Sequence, residues 1–530
     1  MKSQQWDTIV IGAGVGGLTA AARLVRAGLR VLVLEKNTHP GGTAYVYQRS
    51  GFTFPMGPLG FSHRANVQNT LRDLGVGYDL RFHRVHYRLR AFHLDLPLSL
   101  SFGQMSSEIA RYFPEDGRSV QQFFHDVEVL ASGEQPGRGE VEIALGSETG
   151  KISVSEYLQR TVKDWRLRRI LGSLGTREPY SVMAFQAAMW NLMSREGIWY
   201  PEGGMRLFCD QLTHRVTGDS EEGINRGQQC RKRNGNKGGG VIRLRTEVKE
   251  IRVNKDKVVG VTLADGTKMD SAMIVSNADY KTTFLRLLEP SVLPSEWTRA
   301  VSAARQTGSV LQVCLGVNEK EVDLSCFDEG SRLIYRRDDR DLQEDQELDW
   351  DQETVELERL AAEELEVSLW SREDRMLAPD GGAVIVIRTE APYTHFAKYR
   401  LSWRKRTPGY AEYKLRLAKA LVHEIKDLIP GLEGASSVMD VATPLTFEDQ
   451  GGRSEGAVAG WSWDYKDSSD WRSRELVKTP IKGLYMAGYQ AFSALFMGGI
   501  PTAMESGNRA ADAVLQNAGP VEEVTVPQKD

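Results

Sequence analysis

The sequence predicts an α/β protein in which a Rossmann-type dinucleotide-binding domain is interleaved with an α+β second domain. Three observations predict it. A strand, a glycine turn, a helix and a second strand follow one another within the first 35 residues. A strand, a loop and a helix close the chain between residues 480 and 515. Helical and alternating stretches fill the interval, and a chain of 530 residues allows roughly two to four lobes with large cores.

The elements follow in order. Asp7, Thr8, Ile9, Val10 and Ile11 read as a buried strand. Residues 16–28 read as a helix, with Leu18, Ala21, Ala22 and Val25 on one face and Gly28 as its stop. Arg30, Val31, Leu32, Val33 and Leu34 read as the second strand. Such a unit forms a parallel pair with a right-handed crossover. Leu94, Leu96, Leu98, Leu100 and Phe102 alternate with other residues, the period of a half-buried strand. Residues 106–200 read as mainly helical and carry Phe123, Phe124, Trp165, Trp190 and Trp199. Val182, Met183, Phe185, Met189, Trp190, Leu192 and Met193 fall mostly at helical spacing, which predicts core packing ahead of tunnel or membrane contact.

Residues 219–240 are rich in glycine and charge and read as a solvated loop, because no aromatic residue interleaves with Arg231, Lys232, Arg233 and Lys237. Residues 241–275 alternate as strands, with a hairpin turn at Ala264-Asp265-Gly266-Thr267. Residues 337–365, rich in Asp and Glu, read as an exposed loop or charged helix, and the residues after Gln516 as a loose tail. This organisation assigns 1–95, 241–285 and 441–516 to the dinucleotide-binding domain. It assigns 96–240 (mainly helical, with substrate or membrane contacts) and 286–440 (sheet plus helices) to the substrate domain, and 517–530 to the tail.

Composition excludes several classes. Apolar residues make up 41% and charged residues 26%, ordinary for a globular chain, and a net charge of −4 argues against a nucleic-acid partner. Cys209, Cys230, Cys314 and Cys326 form no CxxC pair and no metal-ligand spacing with histidine, which predicts reduced structural thiols and no metal in a cytoplasmic protein. No apolar run reaches the ~18 residues of a membrane-spanning helix. Trp6-Asp7 ahead of a glycine-interrupted stretch argues against a signal peptide. No histidine stands at HExxH spacing, and His63 and His395 read as ordinary surface or hydrogen-bonded residues.

Gly12-Ala13-Gly14-Val15-Gly16-Gly17 is a G-x-G-x-x-G placed between a strand and a helix, with a second strand ending in Glu35. Gly12 allows the tight turn, Gly14 lets the backbone approach a pyrophosphate, and Gly17 lets helix and strand pack closely. The helix start offers free N–H groups and a positive dipole end to phosphates. Glu35 stands where an acid binds the adenosine ribose hydroxyls and disfavours a 2′-phosphate.

The motif alone does not separate FAD from NAD. Lys36-Asn37-Thr38-His39-Pro40-Gly41-Gly42-Thr43 follows, and a second glycine pair after the ribose acid suits a cofactor that continues past its pyrophosphate, as FAD does. Near the C-terminus, Leu484-Tyr485-Met486-Ala487-Gly488 reads as a strand, and Gly498-Gly499-Ile500-Pro501-Thr502 opens a helix running to about Leu515. Pro501 suits a first helical turn. That helix start can approach a flavin ring and stabilise negative charge near N1 and O2 of the reduced form. Ala503, Gly507, Ala510 and Ala511 keep one helix face small.

The run from Glu35 to Gly42 is similar to the E-K-x-x-x-x-G-G of many flavoproteins. Further segments resemble the family of phytoene desaturases, carotenoid isomerases and retinol saturases. Gly51-Phe52-Thr53-Phe54 resembles its G-F-x-F, and Gly197-Ile198-Trp199-Tyr200-Pro201-Glu202-Gly203-Gly204-Met205 its G-V-W-Y-P-x-G-G-M. Arg245-Thr246-Glu247-Val248-Lys249-Glu250-Ile251 resembles the strand whose valine touches adenine. Val275-Ser276-Asn277-Ala278-Asp279, Thr443-Pro444-Leu445-Thr446 and Gly498–Thr502 match as well, in the family's order. The resemblance implies a glutathione-reductase-like FAD fold of the two-dinucleotide-binding-domain type. The implied cofactor set is Gly12, Gly14, Gly16, Gly17, Glu35, Lys36, Gly41, Gly42, Thr43, Val248, Gly488, Gly499, Ile500 and Pro501. Two departures stand out: Pro55 replaces the usual acid after G-F-x-F, and Gly488–Phe496 replaces a G-x-x-x-x-P-G-x-G-x-P run. Phytoene itself is therefore not assigned as the substrate.

The resemblance implies a long apolar polyene or isoprenoid as substrate, with hydride transfer at flavin N5 giving a desaturase, a saturase or an isomerase. It also implies peripheral contact with a membrane surface. The flavin carries this chemistry, and no side chain is nominated as catalytic. Only one dinucleotide fingerprint is evident, so a second, tight NAD(P) site is not indicated. Two alternatives compete: an amine oxidase of related fold, and a non-catalytic protein of this fold that binds prenylated partners.

Overall fold

The computed structural model describes residues 6–131, 147–172, 174, 181–218, 239–336, 364–464, 475–492 and 499–518. The chain-start unit forms as its residues dictate. Thr8–Ile11 is a fully buried strand, Val15–Arg26 a helix, and Arg30–Leu34 a strand buried after its first residue. The helix ends two residues before Gly28, where φ of +91° turns the chain toward the second strand.

Five parallel strands make the first sheet, in the order Leu484–Met486, Ile274–Ser276, Thr8–Ile11, Arg30–Leu34, Gly239–Arg243. Three distant stretches of sequence therefore build one sheet. The continuous apolar character of its inner strands follows from helices covering both faces. A three-stranded antiparallel sheet (Val248–Asn254, Lys257–Leu263, Lys268–Asp270) lies beside it, with the expected turn at 264–267.

The second large sheet has seven strands, in the order Ser436–Ala442, Ser309–Asn318, Gly382–Ala391, Leu365–Leu369, Arg332–Tyr335, Tyr87–Ala91, Leu94–Pro97. All pair antiparallel except Arg332–Tyr335 with Tyr87–Ala91. Helices between 102 and 191 pack round a separate aromatic-rich core of Phe123, Phe124 and Trp190, while the helix Gly204–Thr217 packs on the first sheet's core through Phe208 and Leu212.

Three expectations are corrected. The alternation from Leu94 to Phe102 is not one strand: the strand stops at Pro97, and Phe102 begins a helix capped by Ser101 and Gln104. The capping box there outweighs the period-2 pattern. Residues 241–243 belong to the parallel sheet, with Val241 and Ile242 both buried, and Arg245 lies outside any strand with φ of +52°. The last helix continues to Ala518, beyond the expected tail boundary. The charged loop at 219–238, the acidic stretch at 337–363 and Cys230 lie outside the described residues.

Val182–Met193 is core. Met183 and Trp190 are fully buried, Phe185 stacks on Trp463 at 5.0 Å, and Trp190 meets Phe124 edge-on at 5.1 Å. Among the described residues, no helix is long and apolar enough to cross a membrane.

Candidate functional site

The site is built on the glycine turn after the first strand. Gly12 has φ of +90° and donates its N–H to Leu34 O at 2.8 Å, which closes the turn over the second strand. Gly14 is the N-cap of the helix Val15–Arg26, and no side chain caps that helix. Its first turn carries no acid, so its leading N–H groups and its dipole remain available to an anion. A methyl group on Gly17 would overlap the carbonyl oxygen of Gly12, so the helix lies directly on the strand end.

Two further segments close on this turn. Gly41 donates to Ala13 O at 2.8 Å and bridges Gly14, while Gly42 lies against the Gly14 backbone. Gly41 and Gly42 have φ of +103° and +58°, a left-handed pair that side chains would strain. Thr43 backs onto Gly57 and Gly451. From the C-terminus, Gly488 (φ +101°) donates to Ser506 Oγ at 2.9 Å and approaches Gly16, which also faces Ala503 O. Gly499, Ile500 and Pro501 form the opening turn of the helix Gly499–Ala518, with Ile500 buried. Thr502 in the same turn is fully buried, and its hydroxyl has no partner among the described residues.

Glu35 is 4% exposed, and each carboxylate oxygen accepts a backbone N–H: Ala13 N at 2.7 Å and Asn37 N at 2.8 Å. Backbone bonds from Thr246 N to Glu35 O and from Arg245 N to Asn37 O bring Val248 beside this acid. A cavity of about 330 Å³ opens there, lined by Lys36, Val248, Leu287, Gly452 and Arg453 among others. Burial pulls the Lys36 ammonium below the usual lysine range, while Glu35 and Glu247 oppose the shift.

These features fit FAD. The uncapped helix start would receive a diphosphate, the buried acid a ribose, the 330 Å³ cavity an adenosine end, and the orphaned Thr502 hydroxyl would meet a polar group at the last helix. Gly12, Gly14, Gly16, Gly17, Gly41, Gly42 and Gly488 converge on one turn. Glu35, Lys36 and Val248 gather at the cavity end, and Gly499–Pro501 stand at the head of the last helix.

Sequence reasoning missed other residues of the site. Asn277, at the end of the strand Ile274–Ser276, packs its carboxamide against Gly12, Gly14, Gly16, Gly17 and Gly488. Three side chains of the seven-stranded sheet seize alternate carbonyls of the segment after Phe52–Pro55. Gln312 Nε2 donates to Pro55 O at 2.9 Å, Arg388 Nη2 to Gly57 O, and Arg332 Nη2 to Leu59 O at 3.0 Å. Gln312 and Arg388 are direct cross-strand partners, joined by Nε to Oε1 at 2.7 Å. The available signal was a lone charge in an apolar strand, as in Ala383-Val384-Ile385-Val386-Ile387-Arg388.

Of the other candidates, Cys209 packs its Sγ beside Gly41, and Cys314 Sγ accepts from Gln312 Nε2 at 3.3 Å. His63 meets Ser62 Oγ at 3.0 Å, and the described cysteines are buried thiols. Among the described residues, no group of three or more His, Cys, Asp or Glu could hold a metal.

Residues 15–338 match the family described as "Flavin containing amine oxidoreductase". The chain is 26% identical to a chloroplastic prolycopene isomerase of Daucus carota, over 93% of this chain and 77% of that one. It is 25% identical to a lycopene-forming phytoene desaturase of Pantoea ananas, over 96% and 99% respectively. Among solved structures, a putrescine oxidase bound to putrescine is similar in fold, with a TM-score of 0.62 at 15% identity over 97% of this chain and 100% of that one.

Proposed function

The chain belongs to the flavin-containing amine oxidoreductase family as an FAD-dependent oxidoreductase, and on that premise we propose that its substrate is a long apolar polyene or isoprenoid, desaturated, saturated or isomerised at carbon–carbon bonds. One observation carries the substrate class: likeness to carotenoid-processing proteins runs over more than nine-tenths of the chain. Bound FAD supplies the hydride-accepting centre.

The protein's own groups do the rest. The amides at the head of Val15–Arg26 hold the diphosphate, and Glu35 holds the adjoining ribose. Gly41, Gly42 and Thr43 line the path onward, and Gly488 with Gly499–Pro501 closes the far end. Lys36 and Val248 bound the adenosine end. Gln312, Arg332 and Arg388 fasten the 55–59 segment, so the seven-stranded sheet keeps one position against the cofactor domain. The dinucleotide-binding domain takes 1–95, 241–285 and 441–516 and the substrate domain the stretches between, except that Tyr87–Ala91 and the start of Leu94–Pro97 pair into the seven-stranded sheet and Gly239–Gly240 into the parallel one. The protein is cytoplasmic, and an apolar substrate brings it to a membrane surface without spanning.

Co-expression with pathways that make different polyenes, followed by absorption spectra of the lipid extracts, tests this reading. A shifted spectrum that depends on this chain is expected with at least one polyene. Oxygen-dependent turnover of amines, with unchanged spectra for every polyene, would instead identify an amine oxidase, the alternative within the same flavin family. Purified protein that stays colourless with added FAD would leave the non-catalytic prenyl-binding alternative.

A further inference from the structure

We infer that Trp403, carried by the second lobe, is part of the cofactor site and closes its adenosine end by presenting its indole to the purine. The inference rests on the FAD reading above and adds to it a residue from a distant part of the chain.

The cavity beside Glu35 has walls from several elements. Val248 begins one strand, Leu287 follows the helix Tyr280–Arg286, and Lys36 follows the second strand. Trp403 lines the same cavity from the turn of a short hairpin, Arg400–Ser402 paired with Lys405–Arg406. Trp403 is 50% exposed as a residue, and the Lys36 ammonium stands 4.7 Å from the ring centroid. What singles Trp403 out is its place in the wall of a cavity of about 330 Å³, where an aromatic side chain can meet a flat ligand.

The hairpin is fixed in place. Arg400 reaches Asp449 at 2.9 Å and also Glu448, and Arg406 pairs with Asp449, which is 3% exposed. Asp449 and Glu448 lie on the helix Pro444–Gly451, and Gly452, just past its end, lies against the Lys36 ammonium. Arg404, in the left-handed region at φ +56°, bonds Gln450 Oε1 at 3.3 Å. Hairpin, helix and Lys36 thus form one assembly, with Trp403 held in the cavity wall. Aromatic faces stack on any nucleobase, and one such stack changes affinity by about tenfold.

The test titrates flavin-stripped protein with FAD and, separately, with ADP, which carries the adenosine and diphosphate alone. Trp403→Leu is expected to raise both dissociation constants about tenfold, and Trp403→Phe to stay within about threefold of the starting protein. Leu401→Ala, on the same hairpin and 65% exposed, is the control expected to change neither. Thermal unfolding without cofactor reports whether each variant folds. If Trp403→Leu binds FAD and ADP as tightly as the starting protein, or weakens FAD alone, the inference is overturned while the cofactor reading stands. If the starting protein binds neither probe, the cofactor reading itself fails.

Discussion

Glu35 Oε2 accepts the amide hydrogen of Ala13 at 2.7 Å, so the acid that ends the second strand is tied directly to the glycine turn that ends the first. The same carboxylate accepts Asn37 N–H at 2.8 Å, and the side chain is nearly inaccessible to water. A buried carboxylate holding two amides is preorganised to meet a sugar hydroxyl without moving.

Glu35→Gln removes the charge and puts an amide donor where an acceptor is needed. The ribose hydroxyl then loses a hydrogen bond to a charged acceptor, worth about 1.5–3 kcal/mol, so FAD affinity is expected to fall by about tenfold or more. Flavin absorbance per protein after gel filtration measures this directly.

Gly14→Leu places a side chain where even a Cβ would lie 2.7 Å from Asn277 Nδ2, at the mouth of the helix. The expected result is colourless protein with a thermal midpoint insensitive to added FAD. Full retention of flavin would remove the diphosphate site from this turn.

Arg388→Met breaks both the bond to Gly57 O and the bond to Gln312 Oε1. A loss of about 1–3 kcal/mol is expected, because buried acceptors are left unpaired. The double variant with Gln312→Leu is expected to cost less than the sum of the two, since the residues share one network. Denaturant unfolding of the four proteins checks this.

Trp190→Ala is expected to destabilise by about 3–5 kcal/mol, the range for emptying a large aromatic site in a core. The ring is fully buried and donates Nε1–H to Leu171 O at 3.2 Å. If 182–193 met lipid instead, the variant would lose binding in a liposome flotation assay while keeping its unfolding midpoint.

Burial pushes the thiols of Cys209, Cys314 and Cys326 up to about 12. Unfolded thiols titrate near about 8.5. A raised folded-state value favours the folded protein while the thiol is neutral. That contribution is complete below about 8.5 and shrinks as pH rises toward 12. The unfolding midpoint is therefore expected to fall from pH 8 to pH 10, and less steeply in a variant with the three cysteines changed to alanine.

The early strand–helix–strand unit was legible because its signals are local: an apolar run, glycines at fixed spacing and a terminal acid, all within 35 residues. The strand at 239–243 was misread because alternation resembles a hairpin, while its actual partner is Arg30–Leu34, some two hundred residues earlier. The helix at Phe102 was hidden by leucines that keep period 2 up to its cap.

Sequence alone determined the phosphate turn, its acid and the family resemblance, because those depend on backbone freedom and charge at neighbouring positions. Only the tertiary structure decided that Asn277 packs into the glycine turn, that Arg388 grips Gly57, and that Trp403 stands over Lys36. Each of these joins segments more than two hundred residues apart, and such meetings follow from how sheets stack and chains cross over. No local spacing records them.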